Sequence, residues 1–179
     1  MARSFLFLFM VSVFLLADLN AQTAKFPVVD GFGGIYEMPG STNPDSNIQY
    51  KIVIDLKTNQ PEKGAVNPGL NNVARMMNLH GLGGIAEENM SVTAVVHGPA
   101  TETILNNDGY RRKNGVDNPN IALIDALEAA GAEVVVCGQS LIGRGFPQSE
   151  VNTDVEIALS MLTAVNELQH KGYYLMVFD

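Results

Sequence analysis

Asn118-Pro119-Asn120-Ile121-Ala122-Leu123-Ile124-Asp125-Ala126-Leu127-Glu128-Ala129-Ala130-Gly131-Ala132-Glu133-Val134-Val135-Val136-Cys137-Gly138-Gln139-Ser140 holds a complete helix-to-strand unit. Asn118-Pro119 opens the helix, because proline suits the first helical position, where its missing N–H has no partner to lose. Ile121, Ile124 and Leu127 recur at helical spacing, and Gly131 ends the helix. Residues 133–136 are then a short apolar, β-branched run, the pattern of a buried strand. It gives out into a Gly-containing loop with Cys137 at the joint. Open α/β sheets build their sites just outside the carboxyl ends of their strands.

The same alternation extends in both directions. Tyr50-Lys51-Ile52-Val53-Ile54-Asp55-Leu56 reads as a buried first strand. Asn67-Pro68 opens a helix with Leu70, Val73, Met76 and Met77 on one face and Gly81 after its end. Residues 91–96 (SVTAVV) form a second strand leading into His97-Gly98-Pro99. A short helix over residues 101–106 and an irregular polar stretch over 108–117 follow. Beyond Cys137, residues 151–159 are a weaker strand or strand-plus-turn. Residues 160–171 are a helix carrying Met161, Leu162, Val165 and Leu168 and closed by Gly172, and residues 173–178 a last strand. Repeated strand–helix units predict an α/β fold, a mostly parallel sheet of about five strands covered on both faces, with right-handed crossovers. The sequence shows no internal repeat, and a single α/β domain is expected.

Three segments are expected. Residues 1–21 read as a secretory signal peptide: Arg3 supplies a positive start, residues 5–16 an apolar run, and Ala21 a plausible cleavage position. The run is about 12 residues, against the roughly 20 that a spanning helix needs. Residues 22–47 are an N-terminal arm rich in Gly, Pro, Asp and Ser. Its Phe26, Val28, Val29, Phe32, Ile35 and Tyr36 are too apolar for a free linker, so it packs on its own or a neighbouring subunit. Residues 48–179 are the α/β domain. The expected location is periplasmic or secreted, with no membrane attachment after cleavage.

The chain has 179 residues and a formal net charge of −8, and Arg3 and Asp18 cancel within the leader. An acidic domain with no Trp and no basic stripe excludes a nucleic-acid surface. Cys137 is the only cysteine, so an exported chain would have no internal disulfide. Gly31-Phe32-Gly33-Gly34 is not followed by a helix, so it is no dinucleotide loop. No metal-ligand spacing, phosphate loop or GxSxG occurs, and neither metal nor cofactor is expected.

In a parallel sheet the carboxyl ends of the strands share one edge, so His97 and Cys137 both belong to it. A reactive thiol needs a stabilised thiolate, which the backbone N–H groups of Gly138, Gln139 and Ser140 can supply, above all if a helical turn begins there. His97 can carry a proton or add positive charge. Cys137 can equally be a small buried hydrophobe, and His-Gly-Pro a plain turn. His80 and His170 sit in last helical turns, where a cation suits the helix dipole. Arg111-Arg112-Lys113, with Arg144, either draws an anion towards the same edge or is a solvated loop.

The ordered set of YKIVIDL, Asn71-Asn72-Val73-Ala74-Arg75, Val95-Val96-His97-Gly98-Pro99, Asn118-Pro119-Asn120, Val134 to Ser140, and Leu168-Gln169-His170-Lys171-Gly172-Tyr173 resembles the DsrE/DsrF-like (YchN-like) family over residues 48–178. The resemblance implies a three-layer α/β/α domain of DsrEFH-like, flavodoxin-like architecture, with second and third strands adjacent. It implies homo-oligomers, trimers or hexamers, and sulfur-carrier chemistry in which Cys137 takes sulfur as a persulfide and passes it to a partner protein. The sulfur-relay members are cytoplasmic, whereas the leader read in residues 1–21 departs from that pattern and leads us to expect an exported subgroup. The expected function is sulfur handling: catalytic Cys137 and His97, substrate-binding Gly138, Gln139 and Ser140, with donor and acceptor proteins as partners. The alternative is a non-catalytic oligomeric module of the same fold that binds a small ligand or senses redox state.

Overall fold

A computed structural model describes residues 22–58 and 62–179. The signal-peptide reading of residues 1–21 lies outside the described residues. The strands are β1 (Tyr50–Leu56), β2 (Met90–Val96), β3 (Ala132–Cys137), β4 (Glu156–Ala158) and β5 (Tyr174–Phe178). The α-helices are α1 (Pro68–Leu82), α2 (Asn107–Asn114), α3 (Ile121–Ala129), α4 (Gly138–Arg144) and α5 (Met161–His170). The strands form one sheet in the order β4-β3-β2-β1-β5, and every neighbouring pair is parallel. The α/β fold expected from the strand–helix alternation is therefore the observed one.

Side chains alternate across each strand, and the two faces of the sheet differ in cover. Ile52, Ile54, Leu56, Val92, Ala94, Val96, Val134 and Val136 join the main core with Leu70 and Val73 of α1, Leu123, Ile124 and Leu127 of α3, and Leu141 of α4. On the opposite face Val53 and Val95 form a second cluster against Val165 of α5, with Met161, Ala164 and Leu168 around it. One long helix thus stands alone on the second face, spanning from edge strand β4 to edge strand β5.

The helix after β3 packs in the main core, and the helix after β4 lies on the other face. The two strands are neighbours, with Cys137 paired to Ala158. Adjacent strands whose following helices diverge to opposite faces define a topological switch point, and α/β sheets form their crevices there.

Several elements differ from the sequence reading. The polar stretch after residue 106 is helical: α2 is started by the Asn106 side chain, which accepts from Gly109 N at 2.9 Å, and stopped by Gly115 at φ +80°. Its sequence, NDGYRRKN, has a single buried large side chain, Tyr110, so no apolar stripe announces it. The turn after β2 is a 3-10 helix over Gly98–Ile104. The fourth strand is only Glu156–Ala158, and Val151 instead makes an isolated antiparallel bridge to Leu105. The arm docks on α1 of its own chain. Asn78, wholly buried, accepts from Val28 N and Val29 N at 2.9 and 2.8 Å and donates to Phe32 O at 2.9 Å. Gly33 lies so close to α1 that a Cβ would fall 2.2 Å from Arg75 N.

Candidate functional site

Val134 and Val136 point into the main core, so Val135 and Cys137 point to the α5 face. Cys137 is 5 % exposed and closes β3 at the switch point. Two helices begin beside it. In the first turn of α4, the Gln139 and Ser140 amides and the Ser140 hydroxyl face the sulfur and favour its ionised form. From the second face, the amide of Met161, the first residue of α5, acts in the same direction. Ser160 caps that helix by accepting from Leu162 N at 3.1 Å, so the Leu162 amide is satisfied locally while the Met161 amide serves the thiol.

Burial is the largest single influence on Cys137 and pushes its thiol up. The hydrogen bonds from Met161, Ser140 and Gln139 together outweigh it and hold the thiol below its ordinary range. A thiolate is the nucleophilic form of cysteine, and the surroundings of this recessed thiol favour that form.

The sequence-predicted residues fall as follows. Gln139 and Ser140 approach the sulfur through their amides. The Gly138 amide is not among the groups bonded to it. Gly138 instead lets β4 approach, since a Cβ there would lie 2.9 Å from Ala158 O. The Gln139 side chain reaches Leu159 O at 3.4 Å, bridging the two lips of the crevice. Met161 was invisible to sequence reasoning, because only the crossing of α5 brings its amide to β3.

His97 stands level with Cys137, one residue past the Val96–Val136 pair of neighbouring strands. Its Nε2 is paired with Asp55 Oδ1 on β1, on the side away from β3, and His97 is not among the hydrogen-bond partners of the sulfur. The link between them is indirect: Gly98 N donates to Ser140 Oγ at 3.2 Å. Asp55 was missed by the sequence reading, although a carboxylate between Ile54 and Leu56 in a buried strand was a usable signal.

The basic cluster lies on α2, and its charges are compensated. Arg111 pairs with Asp108 and Asp117, Arg112 with Glu150, and Lys113 with Glu102. These pairs argue for the structural alternative over an anion-attracting loop. His80 Nδ1 bonds Met76 O at 2.8 Å and its ring meets Tyr50 edge-on, a structural role. Among the described residues, no three His, Cys, Asp or Glu side chains converge as a metal site.

Ile142, Leu159 and Leu162, each more than 70 % exposed, stand on the elements that flank the crevice. Among the described residues these apolar side chains find no cover.

The profile of the DsrE/DsrF-like family matches residues 51–178. Among solved structures, the protein of unknown function MTH1491 from Methanobacterium thermoautotrophicum superimposes with a TM-score of 0.52 at 13 % identity, over 72 % of this chain and 99 % of that one. The ychN protein from E. coli superimposes with a TM-score of 0.50 at 17 % identity, over 72 % of this chain and 99 % of that one. At these identities the two structures speak for the fold alone. No match was found among curated proteins. With its match spanning β1 to β5, the chain belongs to the DsrE/DsrF-like family.

Proposed function

We propose that this protein carries sulfane sulfur on Cys137 and hands it to a partner thiol. The observation that supports this most is the thiol itself, set at the sheet's switch point and hydrogen-bonded by amides from the first turns of two helices. Membership of the DsrE/DsrF-like family agrees with it.

The proposed chemistry is two exchange steps of the thiol–disulfide kind. Cys137 thiolate attacks the outer sulfur of a persulfide, polysulfide or thiosulfate. The donor's S–S bond breaks as the Cys137 S–S bond forms, and the donor leaves with the electron pair as thiolate, shortened polysulfide or sulfite. An acceptor thiolate then attacks the outer sulfur of the Cys137 persulfide, and Cys137 departs as thiolate. Sulfur moves without net oxidation of the protein. The amides of Gln139, Ser140 and Met161 stabilise the sulfur anion at both ends of the cycle.

The sequence of residues 1–21 supports export to the periplasm or beyond, so the proposed donor and acceptor are extracytoplasmic. The exposed apolar side chains of β5, Leu175 and Val177 on the open sheet face and Tyr174 and Met176 on the other, support a homo-oligomer.

Mass analysis after incubation with polysulfide or thiosulfate tests the reading. One added sulfur atom on Cys137, absent in Cys137→Ser, is the expected result. No adduct with any donor, together with a folded-state thiol inert to alkylation, sinks it.

A further inference from the structure

We infer that Asp55 is a positioning residue for the Cys137 site, acting through His97, Gly98 and Ser140. The inference rests on the reading of Cys137 as the functional thiol. Asp55 follows Ile54 and precedes Leu56, both wholly buried, and shares the α5 face with Val53. A carboxylate in so enclosed a place is costly unless it is paired, and its partner is the Nε2 of His97.

His97 is thereby fastened to β1 twice, by its ring to Asp55 and by its backbone N–H to Leu56 O at 3.0 Å. The next amide along the chain is that of Gly98, and with His97 pinned this N–H is aimed across β2 at Ser140 Oγ, 3.2 Å away. Gly98 makes the turn at φ +54°, a conformation that glycine adopts without cost. A hydroxyl has one proton to give and two lone pairs to receive. The Gly98 N–H engages a lone pair, which leaves the hydroxyl's own proton to the Cys137 sulfur, whose ionised form that hydroxyl favours. Asp55, three strands from β4, thus fixes the hydroxyl that solvates the thiolate.

The sign of the effect separates this route from simple charge. A carboxylate near a thiolate repels it, so deleting Asp55 would, by charge alone, make the thiol more acidic. Loss of the clamp does the opposite, because the Ser140 hydroxyl is no longer directed at sulfur. The other charged side chain at this strand end, Lys57, is engaged with Asp179.

The experiment is a titration of the Cys137 thiol in the full chain, followed by thiolate absorbance, for Asp55→Val, His97→Leu, His97→Gln and Ser140→Ala. Asp55→Val is expected to raise the midpoint and to lower the thiolate fraction below it about fivefold, the worth of roughly one hydrogen bond. His97→Leu should match it, whereas His97→Gln, which keeps an N–H for Asp55, should stay near the wild-type midpoint. Ser140→Ala should also raise the midpoint, and adding Asp55→Val to it should change nothing further, since both act through one contact. A lowered or unchanged midpoint in folded Asp55→Val, or full additivity with Ser140→Ala, overturns the proposal. Should Asp55→Val fail to fold, equal midpoints for His97→Leu and His97→Gln overturn it instead. No sulfur donor enters this titration, so its failure and that of the persulfide assay are distinguishable.

Discussion

At the residue scale, Cys137 couples its ionisation to folding. Its thiol ionises more readily in the folded chain than in the unfolded one, because the Met161, Ser140 and Gln139 hydrogen bonds exist only after folding. A depressed folded value contributes stability that is complete above the unfolded thiol's pKa, about 8.5, and is lost as pH falls through the folded value. The stability gap between the wild type and Cys137→Ala should therefore widen as pH rises towards the unfolded thiol's pKa and level off above about pH 9. Urea denaturation across that range checks this, and a gap that narrows with rising pH contradicts it. The same residue shows how far the sequence could be read. An apolar β-branched run ending in Cys-Gly placed the thiol at the strand edge, and Gln139 and Ser140 followed because helix N-terminal amides are local in sequence. Met161 and Asp55 act across strands, and their roles depend on which strands are neighbours.

At the element scale, legibility followed apolar patterning. The cores of β1, β2 and β3 and the stripes of α1 and α3 carried period-2 or period-3.6 signals and formed where expected. Helix α2 carried none, because capping by Asn106 and its ion pairs hold it rather than burial of a stripe. The arm of residues 22–47 has no period at all, and two α1 side chains, Asn78 and Asn71, hold its backbone in place. Asn78→Ala leaves the Val28 and Val29 N–H groups without their acceptor in a buried setting, at a cost of about 2–4 kcal/mol for the lost bonds. Chemical denaturation should show that loss, and limited proteolysis should now cut within the arm while the α/β domain stays intact. Unchanged resistance of the arm would contradict the clamp. Gly138 gives a second test. Gly138→Ala places a methyl 2.9 Å from Ala158 O, forcing β4 from β3 at a cost of about 1–3 kcal/mol, and the widened crevice should admit bulkier alkylating agents to Cys137. Alkylation rates with small and large reagents, compared between variant and wild type, measure this directly.

At the scale of the whole molecule, the two faces of the sheet are unequal. Helices α1, α3 and α4 close one face, and α5 alone crosses the other, leaving β5 as an edge strand. That strand reads YLMVF, without proline or charge, and Tyr174, Leu175, Met176 and Val177 are all substantially exposed. Folded proteins guard such edges with charge, proline, bulges or a covering element, and none of these stands over β5 among the described residues. A second copy of the chain is the cover that requires no further component, and it would bury the apolar side chains beside the crevice if the contact extends to Leu159 and Leu162. Sedimentation equilibrium should therefore report an oligomer at micromolar concentration. Val177→Lys, placing a charge on the open face of β5 where the side chain is 51 % exposed, should shift the population towards monomer with the circular dichroism spectrum unchanged. A wild-type chain that sediments as a monomer would remove this interface and leave the apolar rim of Cys137 to the sulfur-accepting partner alone.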